Sequence, residues 1–130
     1  MKYYKLFIET DNNSETYNGV TELLGLQPKE DEKVKISKDR YSTWMYIVTE
    51  LETDPYFDFI NKFLDILEPK FAALEKLGVT RDKILIWMLY EYDQQCGMEF
   101  HPQEMLRLGQ SGIHLNIDCW TKDTEESTTA

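Results

Sequence analysis

Apolar positions along the chain alternate in some segments and recur at helical spacing in others. The segment 82–91 is apolar at both parities, with Ile84, Ile86 and Met88 on one side of an extended chain and Leu85 and Trp87 on the other. Side chains of a strand alternate between two faces, so this pattern is typical of an interior strand that is partly covered on both sides. We predict that 82–91 is the central strand of a sheet.

Simple alternation predicts the other strands. It is clear over residues 3–10, 42–50 and 113–120, and weaker over 33–37 and 97–100. We expect 33–37 to be an edge strand, joined to 42–50 in a hairpin across residues 38–41. The segment 97–100 is expected to be a short partner strand after the central one.

Helical spacing predicts three helices. The first follows the capping residues 11–14 and ends at Gly25, which suits the left-handed position after a helix. The longest begins at Pro55, is kinked or split at Pro69 and ends at Gly78. A short third helix runs from Pro102 to Gly109.

These elements follow one another in the order β-α-β-β-α-β-β-α-β, which predicts an α+β fold. Its sheet is mostly antiparallel, with the helices packed on one face. Residues 1–120 are expected to form a single domain. The acidic tail over residues 121–130 is expected to be disordered.

The composition favours a folded, acidic protein. The chain has 130 residues, of which 42% are hydrophobic and 13% aromatic, and its formal net charge is −10. That charge repels nucleic-acid phosphates and an anionic membrane surface, so neither is an expected partner. It favours a basic protein partner, although surplus carboxylates also simply keep a protein soluble. The start of the chain lacks an apolar signal core, and its two cysteines need not be paired, so we expect a cytoplasmic protein.

No residue pattern indicates a cofactor, a metal site or a catalytic nucleophile. The cysteines and histidines lack the spacing of a zinc site, and no phosphate-binding glycine loop is present. One enzyme alternative remains, a small hydrolase or isomerase that uses clustered carboxylates for acid–base chemistry. Its candidate residues are Glu91, Asp93, Glu99, Glu104 and Asp118.

The sheet face away from the helices is the best candidate for function. If the more apolar parity of each strand faces the helices, the opposite face carries aromatic side chains among acids and amides, which is typical of an interface core and its rim. The predicted partner-binding residues are Tyr3, Phe7, Glu9, Trp87, Glu91, His114, Asn116, Asp118 and Trp120.

Short motifs along the chain resemble a bacterial family of similar length, the domain-of-unknown-function 4279 family. They are residues 24–28 (LGLQP), Trp44, residues 67–69 (LEP) with Leu74, then Gly97, Leu106 and Leu108, and the closing strand 113–120 with Asp118. The chain departs from the family at 29–38, where the family usually has a glycine-containing segment. The resemblance implies a small bacterial cytosolic protein and supplies no catalytic residues. Small acidic proteins of this type often serve as immunity proteins to toxins.

We therefore predict a non-enzymatic protein-binding domain. Its most concrete form is an immunity-type protein that neutralises a basic toxin. The alternatives are a homodimer that associates through the sheet, and the carboxylate-dependent enzyme.

Overall fold

A computed structural model describes residues 1–122 of the chain as a four-stranded sheet with helices packed on it. The strand order is β2-β1-β3-β4, where β1 is antiparallel to both of its neighbours and β3 is parallel to β4. The predicted α+β class with a mostly antiparallel sheet is confirmed, and the segment predicted as the central strand is an interior strand. The strands are β1 (Lys2–Glu9), β2 (Thr43–Glu50), β3 (Ile84–Tyr92) and β4 (His114–Thr121).

The helices lie in the connections between strands. α1 and α2 connect β1 to β2, α3 and α4 connect β2 to β3, and α5 is the crossover between the parallel strands. Their bounds are α1 (Ser14–Leu24), α2 (Glu32–Lys35), α3 (Phe59–Leu67), α4 (Phe71–Lys76) and α5 (Pro102–Ser111), with 3-10 turns at Glu68–Lys70 and Arg81–Lys83.

The predicted helix signals at α1 and at Pro69 are confirmed. The Asn13 Oδ1 atom accepts hydrogen bonds from the backbone N–H groups of Glu15 and Thr16, at 2.9 and 3.1 Å. Gly25 ends the same helix with a φ of 66°, a conformation that glycine adopts without strain. Pro69 lies in the 3-10 turn between α3 and α4, so it splits the long predicted helix in two.

The hydrophobic core lies between the helices and one face of the sheet. The even-numbered residues of β1 and β3 point into it and are buried, including Leu6, Ile8 and Ile86. Phe63 and Leu64 from α3 are fully buried against them. The helices therefore cover only one face of the sheet. The odd-numbered residues of β1 and β3 lie on the other face.

Two predicted strands are wrong. The segment 33–37 overlaps α2, because the Asp31 side chain accepts a hydrogen bond from the Val34 N–H and caps a helical turn. No hairpin therefore joins it to β2. Residues 97–100 pair with no strand, because Met98 and Phe100 turn onto the hydrophobic core instead.

Other predicted boundaries also move, among them the start of the central strand, since Arg81–Lys83 form a 3-10 turn before Ile84. The helix predicted from Pro55 begins at Phe59, because the Asp54 side chain accepts from the Leu51 N–H and closes a turn before it. α5 continues through Gly109 to Ser111, and the following Gly112 caps it with a φ of 74°. β4 reaches Thr121, and the Lys122 N–H donates to the Tyr92 carbonyl. The prediction of a disordered tail otherwise falls on residues 123–130, which lie outside the described residues.

Candidate functional site

The sheet face away from the helices, called here the open face, consists of the odd-numbered residues of β1, β2 and β3 and the even-numbered residues of β4. Strand pairing aligns them in rows. Phe7, Leu85 and His114 form one row, Lys5, Trp87 and Asn116 the next, and Tyr3, Leu89 and Asp118 the third. The strand register therefore places every predicted partner-binding residue on the same side of one sheet.

The centre of the open face is aromatic. The rings of Phe7 and Trp87 lie 5.4 Å apart between centroids, in a tilted arrangement. The Lys5 ammonium lies 6.0 Å from the Phe7 centroid and 5.8 Å from the Trp87 centroid, within the range of a cation–π contact. Leu85 and Leu89 flank Trp87 along β3 and are half-buried, like both rings. An apolar centre of this kind is what a protein partner desolvates first.

Asp118 is coupled directly to this aromatic centre. Its Oδ2 atom accepts a 2.8 Å hydrogen bond from the Trp87 indole N–H, across the parallel pair of β3 and β4. The bond uses the only donor of the indole. It therefore fixes the orientation of Trp87 and holds a carboxylate beside the ring.

The remaining predicted residues lie around this centre. Glu91 and Trp120 are paired in register at one end of β3 and β4, where Trp120 is 37% exposed. Glu9 is exposed at the other end of the face, and His114 and Asn116 are exposed along β4. None of the predicted partner-binding residues is buried by another part of the described chain.

A concavity of about 350 Å³ opens on the face at the end where β1 finishes and β3 and β4 begin. Four of the predicted residues line it, together with the Asp82 and Lys83 side chains from the turn before β3. Those four are Phe7, Glu9, His114 and Asn116. The volume is large enough for one or two side chains of a partner. The sequence did not single out Asp82 and Lys83, because only the fold brings that turn to the end of β1.

The carboxylate cluster proposed for an enzyme is divided by the sheet. Glu91 and Asp118 are on the open face, whereas Glu99 and Glu104 line a cavity on the side of the helices. Neither Glu91 nor Asp118 lines any of the described concavities. Proton transfer at one substrate atom needs both groups within hydrogen-bond reach of it. The pair Glu91 and Asp118 and the pair Glu99 and Glu104 are on opposite sides of the strand layer, so the four cannot act together on one substrate.

The helix-side cavity, about 560 Å³, lies between β3, the start of α3 and the start of α5. Glu104 is 6% exposed there, and its Oε1 atom accepts from the His101 N–H at 2.8 Å. Tyr56 at its rim is half exposed, yet partial desolvation, reinforced by Glu104 and Asp58, raises the pKa of its hydroxyl to about 12. The cavity walls come from loops that are distant in sequence, so no sequence pattern marks the cavity.

Among residues 1–122, no group of three or more His, Cys, Asp or Glu side chains is placed to hold a metal ion. Cys119 and His114 differ in parity along β4 and point to opposite faces, as the alternation predicts.

The family with the description "Domain of unknown function (DUF4279)" matches residues 6–122. The chain belongs to the DUF4279 family. The match spans nearly all of the fold described above and includes the whole of β2, β3 and β4. No curated protein and no solved structure matches the chain. Within the described part of this DUF4279 chain, no helix is long and apolar enough to cross a membrane.

Proposed function

We propose that this DUF4279 domain is a non-enzymatic binding protein whose open face engages a basic protein. The observation that carries the proposal is the Phe7–Trp87 ring pair, which lies half-exposed at the centre of a sheet face with Asp118 bonded to the indole. Aromatic residues at the centre of an interface supply most of its binding energy once water is excluded.

Charge selects the kind of partner. The strand residues of the open face include the acids Glu9, Glu91 and Asp118 against one lysine, Lys5, and Asp82 and Lys83 at its edge offset each other. The whole chain has a net charge of −10. A field of this sign accelerates encounter with a basic protein and opposes an acidic one. Ion pairs at the rim then fix the orientation of the partner around the aromatic centre.

The most specific form of the proposal is an immunity-type protein that covers the active site of a basic toxin. An enzyme that acts on phosphate-bearing substrates has a basic substrate site, because it must attract anions. An acidic sheet face with aromatic anchors is complementary to such a site. Binding through it would exclude the substrate without any chemistry on the part of the immunity protein.

The test begins with affinity capture from the native cell lysate on the immobilised protein, with elution by salt. The captured basic protein is then purified and its Kd is measured against two charge-reversal variants. In the face variant, Asp118→Lys and Glu91→Lys reverse two open-face acids. In the control variant, Glu22→Lys and Glu75→Lys reverse two exposed acids on α1 and α4. Both variants change the net charge equally.

We expect the face variant to weaken binding roughly a hundredfold and the control variant less than about threefold. Equal losses in both variants would show that the overall charge, not the open face, determines binding. An unchanged Kd in the face variant would contradict the proposed surface. Analytical ultracentrifugation of the protein alone tests the homodimer alternative. If the protein associates with itself as its concentration rises, and Trp87→Ala abolishes this association, the open face is a homodimer interface instead.

A further inference from the structure

The cavity on the helix side of the sheet has the size and the lining of a small-molecule site. Its volume of about 560 Å³ falls within the range of about 300–1,000 Å³ that such sites occupy. Phe59 and Met88 are buried at its base. Met98 and Phe100, from the loop before α5, form one side, and the rings of Phe59 and Phe100 lie 6.3 Å apart, edge to face. These side chains offer an apolar surface to the body of a ligand.

Glu104 brings a buried carboxylate into this apolar lining. It is the third residue of α5, it is 6% exposed, and it lines the cavity. Its Oε1 atom accepts from the His101 N–H at 2.8 Å and so caps the helix. Its Oε2 atom accepts no hydrogen bond and enters no ion pair within residues 1–122. A buried carboxylate oxygen without a donor is costly, so a ligand that supplies an N–H group is favoured here.

Two further carboxylates, those of Asp58 and Glu99, line the same cavity. Neither belongs to an ion pair within the part of the chain that the structure describes. The lining lysine, Lys2, does not neutralise them, because its ammonium is directed to the Glu50 Oε2 atom, 3.7 Å away. The cavity therefore keeps a surplus of negative charge.

The half-exposed Tyr56 at the rim is affected by this charge. Desolvation, and then the charges of Glu104 and Asp58, raise the pKa of its hydroxyl to about 12. The aromatic faces of Tyr56, Phe59 and Phe100 add a second attraction for a cation, through their ring quadrupoles. Charge and aromatic lining thus favour the same class of ligand.

We propose that the helix-side cavity binds a small primary ammonium ion with an aromatic or other apolar body. The ammonium group donates to the Glu104 Oε2 atom, and Asp58 and Glu99 balance its charge. The body packs against Phe59 and Phe100. A primary ammonium fits better than a quaternary one, because Oε2 needs an N–H donor. The site lies on the opposite side of the sheet from the open face, so the proposal does not depend on a protein partner there.

The test titrates the full chain with phenethylammonium chloride and follows the methionine methyl groups by ¹H–¹³C NMR. Met88 and Met98 line the cavity, whereas Met45 is opposite Phe7 on the open face. We expect saturable shifts of the Met88 and Met98 signals and an unchanged Met45 signal. Phenethyl alcohol and phenylpropionate provide a similar body with a neutral or a negative head group. The ammonium should bind at least about tenfold more tightly than the alcohol, and the carboxylate should not bind.

Two glutamine variants separate the cavity carboxylate from the net charge. Glu104→Gln keeps an acceptor oxygen for the His101 N–H and removes the charge at the cavity. Glu22→Gln removes the same charge at an exposed position of α1. We expect Glu104→Gln to weaken binding of the ammonium about tenfold and to leave binding of the alcohol unchanged. Glu22→Gln should change neither affinity by more than about twofold.

The comparison of head groups in the wild-type protein decides the proposal even if Glu104→Gln does not fold. No saturable binding of the ammonium, or equal affinities for the ammonium and the alcohol, would overturn it. Methyl shifts on the open face in place of shifts at the cavity, or equal losses of affinity in the two glutamine variants, would do the same.

Discussion

The Trp87 indole N–H donates to Asp118 Oδ2 at 2.8 Å, and this bond connects β3 to the edge strand β4 on the open face. In the strand register Trp87 is opposite Asn116 and Asp118 is opposite Leu89, so the bond runs diagonally between neighbouring rows. It brings one of the two tryptophans of the face and one of its acids into a single unit. A partner that covers the ring must therefore also contact the carboxylate.

Replacing Asp118 by alanine should release the indole from this orientation. We expect the Trp87 indole N–H signal in a ¹H–¹⁵N NMR spectrum to move and to exchange faster with water. The free energy of unfolding should fall by no more than about 1 kcal/mol, because both groups reach solvent. Asp118→Asn keeps an acceptor oxygen and should retain most of the wild-type shift. An indole signal that is unchanged in Asp118→Ala would contradict the bond.

A second indole bond, inside the core, should be worth more. Trp44 is fully buried, and its N–H donates to Thr21 Oγ1 at 3.0 Å. Thr21→Val leaves that donor without an acceptor and should cost about 1–3 kcal/mol in urea unfolding. Thr21→Ser should cost less, because it keeps the hydroxyl. In the double variant, Thr21→Val with Trp44→Phe, the two losses in the free energy of unfolding should not add, because phenylalanine has no indole N–H to leave unsatisfied. Additive losses would show that the bond contributes nothing.

Stability should decline in strong alkali through buried tyrosines. Burial first, and then Glu30, raise the pKa of Tyr17 from its ordinary value of 10.0 to about 12. A raised pKa means that the unfolded chain loses this proton before the folded one. The stabilisation is complete below pH 10 and is lost as pH rises towards 12.

Tyr17→Phe should therefore show a shallower decline than the wild type across this window. The difference in slope should approach about 1.4 kcal/mol per pH unit, measured by urea unfolding at a series of pH values. Below pH 10 the free energies of unfolding of the two proteins should change with pH in parallel, and this range provides the internal control. Parallel curves above that pH would show that Tyr17 ionises equally well in the folded protein.

Alternation in β1 and β4 located the open face, because side chains of a strand repeat with a period of two. For β3, which is apolar at both parities, the pairing of Trp87 with Lys5 and of Leu85 with Phe7 decides which residues share that face. The pairing of Trp87 with Asp118 was not predictable, because the relative order of β3 and β4 in the sheet is set by the crossover through α5. The sequence pattern assigns side chains to the two faces of a sheet, whereas the register between neighbouring strands is set by the tertiary structure.

Weakly patterned segments were predicted least well. The alternation of residues 33–37 is too short to outweigh the capping of a helical turn by Asp31, and Ile36 is left 86% exposed. The helix-side cavity joins loops that are far apart in the chain.

The end of α5 offers a test in which two glycines of one helix should respond with opposite sign. Gly109 lies inside the helix, and a Cβ atom placed on it meets nothing within 4 Å. Gly109→Ala should therefore stabilise the protein by about 0.5–1 kcal/mol, because alanine loses less conformational entropy in a helix. Gly112 has a φ of 74°, so Gly112→Ala should destabilise by about 1–2 kcal/mol, although a Cβ atom there would meet only the Arg81 side chain, at an ordinary contact distance of 3.8 Å. Urea unfolding of both variants decides where the helix ends. If Gly109→Ala lowered the free energy of unfolding and Gly112→Ala left it unchanged, the helix would end at Gly109, as the sequence predicted.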